Sequence, residues 1–371
     1  MEFYDLGNQY HSIKKEFLRR LASIQEKSHY ILGEEVRKFE EEFSRYCGTK
    51  YAVGVNSGTD ALFLSLKALG IGEGDEVIVP AFTFIATSFA VSMTGARPVF
   101  IDIDSATYTL DARQLARLVT KKTKAIMPVH LFGLCANMTE IATVARKRKL
   151  CIVEDAAQAH GAQIGDRKAG DFGACGCFSF YPTKNLSAFG DAGLITTNSK
   201  RVYESLLRLR DCGRSSKRYL HSVLGYNSRL DNIQAACLLL KLQKLDEWNK
   251  KRMDNARLYA EQLKNTRGII LPCVPKGYTH VFHVYSIRTK KRDALIEEFK
   301  ASNIPFGIFY PVPLHMQKAN ASLGYRRGDF PVSEQVANEI ISLPIHPKLS
   351  EKDIATVASA IKKVHSGPHR S

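Results

Sequence analysis

The chain has 371 residues, of which 53 are Lys or Arg and 37 are Asp or Glu, leaving a formal charge of +16. With 44% hydrophobic and 24% charged residues, it has the composition of a globular protein able to bury a large core. That excludes a disordered tail, a coiled coil, a collagen-like repeat and a disulfide-stapled miniprotein, and the length sets a prior of two or three domains.

The amino-terminal stretch MEFYDLGNQYHSIKKEF carries acids and bases where a secretory signal needs an apolar run, so no export is expected. From Glu34 to Tyr46, EEVRKFEEEFSRY has the period of an amphipathic helix with Val36, Phe39 and Phe43 on one side, closing on Gly48. A rhythm then repeats: a short apolar run, polar or Gly residues, and a helix-period stretch. It predicts an α/β layer with a mostly parallel sheet flanked by helices. The predicted strands are YAVGV ending at Val55, EVIVP at Pro80, PVFID at Asp102, AIMPV at Val129, LCIVE at Glu154, CFSF at Phe180 and GLITT at Thr197. Most are continuous apolar runs, as expected of strands covered on both faces.

Val77 to Ala96 holds no charge and is long enough to cross a bilayer, yet Pro80, the hydroxyl residues and the strand-like VIVP predict strand, loop and helix instead. No membrane partner is expected. Cys175 and Cys177, two apart in ACGCFSF, share a strand face and read as buried thiols. The eight cysteines show no zinc-ligand spacing, so no metal is expected, and a reducing cytoplasm fits them. The basic clusters are scattered, among them Lys121 with Lys122, Arg146 to Lys149 and Lys250 to Arg252. Such dispersal predicts a solvated surface that attracts small anions, with no nucleic-acid partner.

After Ala235 the texture changes. AACLLLKLQKLDEWNKKRMDNARLYAEQL predicts one long helix, leading to short strands in GIILPCV and VFHVYSIRT and a helix around RDALIEEFKASN. Then come IPFGIFYP, a helix near VSEQVANEII, the extended SLPIHP and a last helix from Ser350 to Val364, with the tail HSGPHRS expected to fray. The expected division is a large α/β domain over 1–245 and a smaller C-terminal α+β domain over 246–371.

Ligands of open α/β sheets collect beyond the carboxyl ends of the strands, and four segments there carry chemistry. NSGTDAL, Asn56 to Leu62, opens a helix directly after a strand; its small residues leave backbone N–H groups free for a phosphate, although, taken alone, the motif reads better as a plain helix cap by Ser57 or Thr59. VEDAAQAHGA puts Asp155 just past a buried strand, where a carboxylate must be solvated, paired or functional. In FSFYPTKNLSAFGDAG, Lys184 follows Ser179 across Pro182; apolar surroundings would disfavour its ammonium form and make a usable amine, whereas the segment alone reads as a surface Lys on a loop. GYNSRLDNIQAA places Asn227 and Arg229, donors to phosphate or carboxylate oxygens, before a helix.

In this order NSGTDAL, EVIVPAFTF, EDAAQAHGA, SFYPTKNL, GYNSRLDNIQAA and FYPVPLH resemble the motifs of the DegT-type (DegT/StrS) sugar aminotransferases, from about Leu6 to about Leu349. The resemblance implies the type I fold of transferases dependent on pyridoxal 5′-phosphate. It implies that Lys184 forms the internal aldimine and then moves a proton as acid and base, and that Asp155 keeps the pyridinium nitrogen protonated. Ser57, Gly58, Thr59 and Ser179 would bind the phosphate, with Asn227 reaching in from the partner subunit of a homodimer. Phe84 would stack on the ring, Gln158 would lie near its 3-hydroxyl, and Tyr181, Arg229, Tyr310 and His315 would line the sugar pocket. The implied reaction carries an amino group from glutamate to a keto sugar on a nucleoside diphosphate. GYNSRLD resembles relatives acting on 3-keto sugars more than the GYNYR of those acting on 4-keto sugars. Relatives that dehydrate the sugar have His where this chain has Lys184.

Overall fold

The structure, a computed structural model, describes residues 1–215 and 219–366. The amphipathic helix forms as expected over Glu34–Cys47, buries Val36, Phe39 and Phe43, and ends on Gly48, whose φ of 80° suits a residue without a side chain. Phe43 meets Phe178 edge-on at 4.9 Å and Phe180 at 5.4 Å, so this helix covers one face of the main sheet.

The strands run in chain order as β1 (Tyr51–Val55), β2 (Glu76–Pro80), β3 (Arg97–Ile101), β4 (Thr123–Ile126) and β5 (Cys151–Asp155). A small hairpin follows, β6 (Gln163–Ile164) with β7 (Arg167–Lys168), then β8 (Cys175–Ser179) and β9 (Gly193–Thr197). Seven of them make one sheet in the order β1-β9-β8-β5-β4-β2-β3, in which β9 alone runs against its neighbours. The carboxyl ends of β1, β2, β5 and β8 therefore share one edge. The predicted AIMPV strand stops at Ile126 because Pro128 has no N–H to give the ladder; Val129 rejoins through a single bridge to Asp155. Val77 to Ala96 is β2, a loop and the helix Ala86–Met93, and among the described residues no helix is long and apolar enough to cross a membrane. Cys175 and Cys177 are buried free thiols, with Cys177 Sγ 3.2 Å from Ser65 Oγ.

The single long helix predicted after Ala235 is two, Asn232–Leu242 and Leu245–Leu263. Two cores require two axes. The first helix packs Leu238, Leu239 and Leu242 under Phe39 and Phe180, while the second turns Ala256, Tyr259 and Leu263 toward Tyr285, Phe299 and Ile341. That second core supports β10 (Ile269–Ile270), β12 (Tyr285–Thr289) and β13 (Ile340–Leu343), paired in the order β10-β12-β13. Between them in sequence, β11 (Tyr278–Thr279) leaves this sheet and pairs with β6. IPFGIFYP forms no strand and joins the sheet only through a Gly307–Ser342 bridge. The last helix covers Glu351–Ser366; the remainder of the tail, 367–371, lies outside the described residues.

Candidate active site

A cavity of about 440 Å³ opens where the carboxyl ends of β1, β2, β5 and β8 meet the segment before β12. It is lined by Ser57, Gly58, Thr59, Phe84, Asp155, Gln158, Ser179, Tyr181, Lys184 and Tyr310, which are ten of the residues expected from sequence. Neighbours in space, they span more than two thirds of the chain.

Ser57 ends the turn after β1, and its Oγ accepts from Asp60 N at 3.1 Å, capping the helix Gly58–Ala68. The cap and the site coexist, because the first amides of a helix have no partner within it and point out of its end. Gly58 is required by its neighbour: a Cβ there would stand 2.6 Å from Ser179 Cβ and 3.1 Å from Ser179 Cα. This close pairing sets the helix end beside the β8 hydroxyl, a donor-rich corner that suits a phosphate.

Asp155 ends β5 and is only 6% exposed. Its Oδ2 accepts from Thr87 Oγ1 at 2.8 Å and its Oδ1 from Ala157 N at 3.2 Å. Burial pushes its carboxyl above the usual range, and the two donors and the charge of Lys184 pull the other way. A buried anion at the cavity wall selects a cationic group opposite it.

Lys184 is held on the loop after β8 by its N–H, which donates to Tyr181 O at 2.8 Å. Burial pushes its amine down to about 8, with Asp155 acting in the opposite sense. The amine is thus partly unprotonated near neutral pH and able to attack a carbonyl carbon.

Gln158 is clamped at both ends. Its Oε1 accepts from Phe132 N at 2.7 Å, and its Nε2 donates to Tyr310 Oη at 3.0 Å. The phenol of Tyr310 keeps its own hydrogen to donate, and burial pushes its pKa upward. Phe84 is 53% exposed and tilts toward Tyr310 at 6.0 Å, presenting an apolar face to the cavity.

Three expected residues do not reach this cavity within the chain. Asn227 is exposed, and its main chain forms an isolated β-bridge with the buried Asp211. Arg229 donates from Nη1 to Asp211 Oδ1 at 2.8 Å, so its guanidinium is already engaged. His315 is buried against Phe330, with Nε2 2.9 Å from Glu334 Oε1. Sequence reasoning missed Tyr4, Thr83, Thr87 and His283. Thr87 lies one helical turn after Thr83 in the motif already singled out, while His283 carried no signal beyond a second histidine in HVFHVY. Among the described residues no group of three or more His, Cys, Asp or Glu could hold a metal ion.

A strand-end carboxylate, a desolvated lysine and a phosphate-suited helix end in one cavity define the class, an enzyme dependent on pyridoxal 5′-phosphate on the aminotransferase fold. The model of the DegT/DnrJ/EryC1/StrS aminotransferase family matches residues 11–362. The chain belongs to that family. It is 43% identical to the UDP-N-acetyl-3-dehydro-alpha-D-glucosamine 3-aminotransferase of Acidithiobacillus ferrooxidans, covering 98% of this chain and 97% of that one. It is 42% identical to the dTDP-3-amino-3,4,6-trideoxy-alpha-D-glucose transaminase of Streptomyces venezuelae, covering 97% and 95%. The crystal structure of S. venezuelae DesV in complex with a ketimine intermediate superposes with a TM-score of 0.96 at 41% identity, covering 99% of both chains.

Proposed function

We propose that this enzyme takes an amino group from glutamate and delivers it to the 3-keto carbon of a nucleoside-diphosphate sugar, at a site shared between the two subunits of a cytoplasmic homodimer. The observation that carries the reading is the meeting of Lys184 and Asp155 in one cavity. The relatives' names favour carbon 3 over carbon 4, and they divide between UDP and dTDP, so the base is left open.

Pyridoxal 5′-phosphate supplies an aldehyde that carries the amino group and a conjugated ring that accepts the electron pair left when a proton departs. Lys184 would hold the cofactor, and its free amine would take the proton from the substrate carbon and give one back later in the transfer. Asp155, oriented by Thr87, would hold the ring nitrogen in its protonated form. The amides of Gly58 and Thr59 with the hydroxyls of Ser57 and Ser179 would bind the phosphate, with Asn227 of the partner subunit completing that corner. Phe84 would stack on the ring, where an aromatic needs no polar partner. Gln158, bonded to Tyr310, would lie near the ring's 3-hydroxyl, and Tyr310 and Tyr181 would line the space for the sugar. Arg229 and His315 act on the sugar only after leaving Asp211 and Glu334. Lys184 also favours transamination over dehydration, which the family resemblance associates with His at this place.

The test incubates the purified enzyme with cofactor, glutamate and UDP- or dTDP-linked 3-keto and 4-keto sugars, reading 2-oxoglutarate and the amino sugar by mass spectrometry. Transfer to the 3-keto sugars supports the reading. Transfer confined to 4-keto sugars, or loss of water without amine, overturns it.

A further inference from the structure

The amino-terminal stretch reaches the wall of the cavity. Tyr4 lines it together with Tyr181, Thr183 and Tyr310, and its phenol is close enough to feel the Thr183 hydroxyl and the Tyr181 phenol. The residues around it are fitted to the fold. Phe3 meets Tyr4 edge-on at 4.8 Å and Phe309, another wall residue, at 6.1 Å. Gly307 leaves room for that ring, since a Cβ there would come 3.2 Å from Phe3 Cζ. The buried Asp5 accepts from Asn8 Nδ2 at 2.6 Å, and Gln9 Oε1 accepts from Ser187 Oγ, three residues beyond Lys184, at 3.2 Å. Tyr4 is thus a built part of the wall.

The chemistry of this part of the wall is aromatic and neutral. Phe309, Tyr181 and Tyr310 offer ring faces and hydroxyl edges, and among the described residues that line the cavity Lys184 is the one cation. Glutamate, with two carboxylates, calls for cationic partners. A sugar, with hydroxyls on an apolar frame, calls for neutral donors set among ring faces. Arg252 is buried outside the lining, its Nη1 donating to Phe282 O at 3.3 Å and to Ile345 O at 2.6 Å. Burial raises the pKa of the Tyr4 phenol, while the charge of Arg252 pulls the other way. The phenol therefore keeps its hydrogen, and the cation nearby makes that hydrogen easier to share.

We propose that Tyr4 determines specificity for the acceptor, its phenol donating a hydrogen bond to an oxygen of the keto sugar and taking no part in the reaction with glutamate. The proposal deepens the function proposed above and rests on it. Both substrates enter the same cavity in turn, so a residue that serves one of them alone is what lets a single wall tell them apart.

The test compares the holoenzyme with its Tyr4→Phe and Tyr4→Leu variants in the two half-reactions taken separately. Glutamate is added to the pyridoxal form, and a UDP- or dTDP-linked 3-keto sugar to the aminated form, with the visible absorption band followed in each. Tyr4→Phe should raise KM for the keto sugar about five- to tenfold, the worth of one hydrogen bond, and leave kcat and the glutamate half-reaction within about twofold. Tyr4→Leu should lose at least as much, again with the sugar alone. Thermal melting reports the fold, and should one variant fail to fold, the other decides on the same criterion. Equal losses in both half-reactions mean a wall that only supports the site, an unchanged KM for the sugar means no contact, and a loss confined to glutamate gives the phenol to the donor. Each of these overturns the proposal. A wild type that aminates no keto sugar overturns the proposed function itself and this proposal with it, an outcome read before any variant is compared.

Discussion

Ser179 occupies the space that a side chain on residue 58 would need, the missing Cβ of Gly58 falling 2.6 Å from the Cβ of Ser179. Two segments far apart in sequence are thereby fitted together at the corner assigned to the phosphate. Gly58→Ala should force the helix end away from β8, at an overpacking cost of about 1–3 kcal/mol. Cofactor affinity should fall about tenfold or more, the factor that each 1.4 kcal/mol represents. Equilibrium titration with pyridoxal 5′-phosphate, beside a thermal melt, measures both.

Lys184→Ala should abolish transfer and the visible band while the protein stays folded. The amine also makes a pH prediction for the cofactor-free protein. Its folded value of about 8 lies below the ordinary 10.5, so between these limits the unfolded chain holds a proton that the folded chain has lost. Stability should therefore rise with pH across that window, and Lys184→Ala should remove this rise. Denaturant midpoints of the two proteins at a series of pH values decide the matter.

Thr87→Val takes the donor from Asp155 Oδ2 at nearly constant volume. Burial already raises the Asp155 carboxyl, and loss of the hydrogen bond raises it further. The acid limb of the rate profile should move to higher pH. Asp155→Asn, which cannot carry the charge at all, should lower kcat by about a hundredfold or more with the cofactor still bound. A profile for Thr87→Val that superposes on the wild type would refute the assignment.

Gly133 has a φ of +100°, and a Cβ there would stand 2.9 Å from Val281 Cγ2 and 3.1 Å from the main-chain nitrogens of both Phe282 and His283. Gly133→Ala should destabilise the fold by about 1–3 kcal/mol, read in the melting temperature. It should also weaken cofactor binding, because the segment it displaces carries His283 and Val284, which line the cavity.

A shared site predicts complementation. Lys184→Ala and Asn227→Ala should each be weak or inactive alone, yet mixing and refolding them together should restore activity. Each mixed dimer would then hold one site with both residues intact. No recovery, with dimers demonstrated by sedimentation, would place Asn227 outside the partner's site.

The parts of the site that were legible in the sequence are those fixed by local grammar. Asp155 ends a continuous apolar strand, Lys184 follows a strand and a proline, and Gly58 opens a helix after a strand, so each could be marked within one segment, while its role came from the order of the motifs. What holds Arg229 and His315 away from the cavity depends on pairings between segments. Nothing around Arg229 announces that Asp211 engages it, and nothing in FYPVPLH announces that His315 meets Glu334. The split of the predicted long helix was hidden for the same reason, since LLLKLQKLDEW keeps a helical period through the turn at Gln243 while the two halves serve different cores. His283 was invisible because only the bond from its N–H to Phe132 O brings it to the cavity wall.

The pairing of β11 with β6, together with the bonds from Val281 N to Gly133 O and from His283 N to Phe132 O, pins the C-terminal wall of the cavity to the segments that follow β4 and β5. Such a wall is a mould and not a jaw. It cannot swing aside without tearing main-chain bonds, so passage in and out falls to rim side chains and the amino-terminal stretch bearing Tyr4, and the dwell time of a bulky guest is set there.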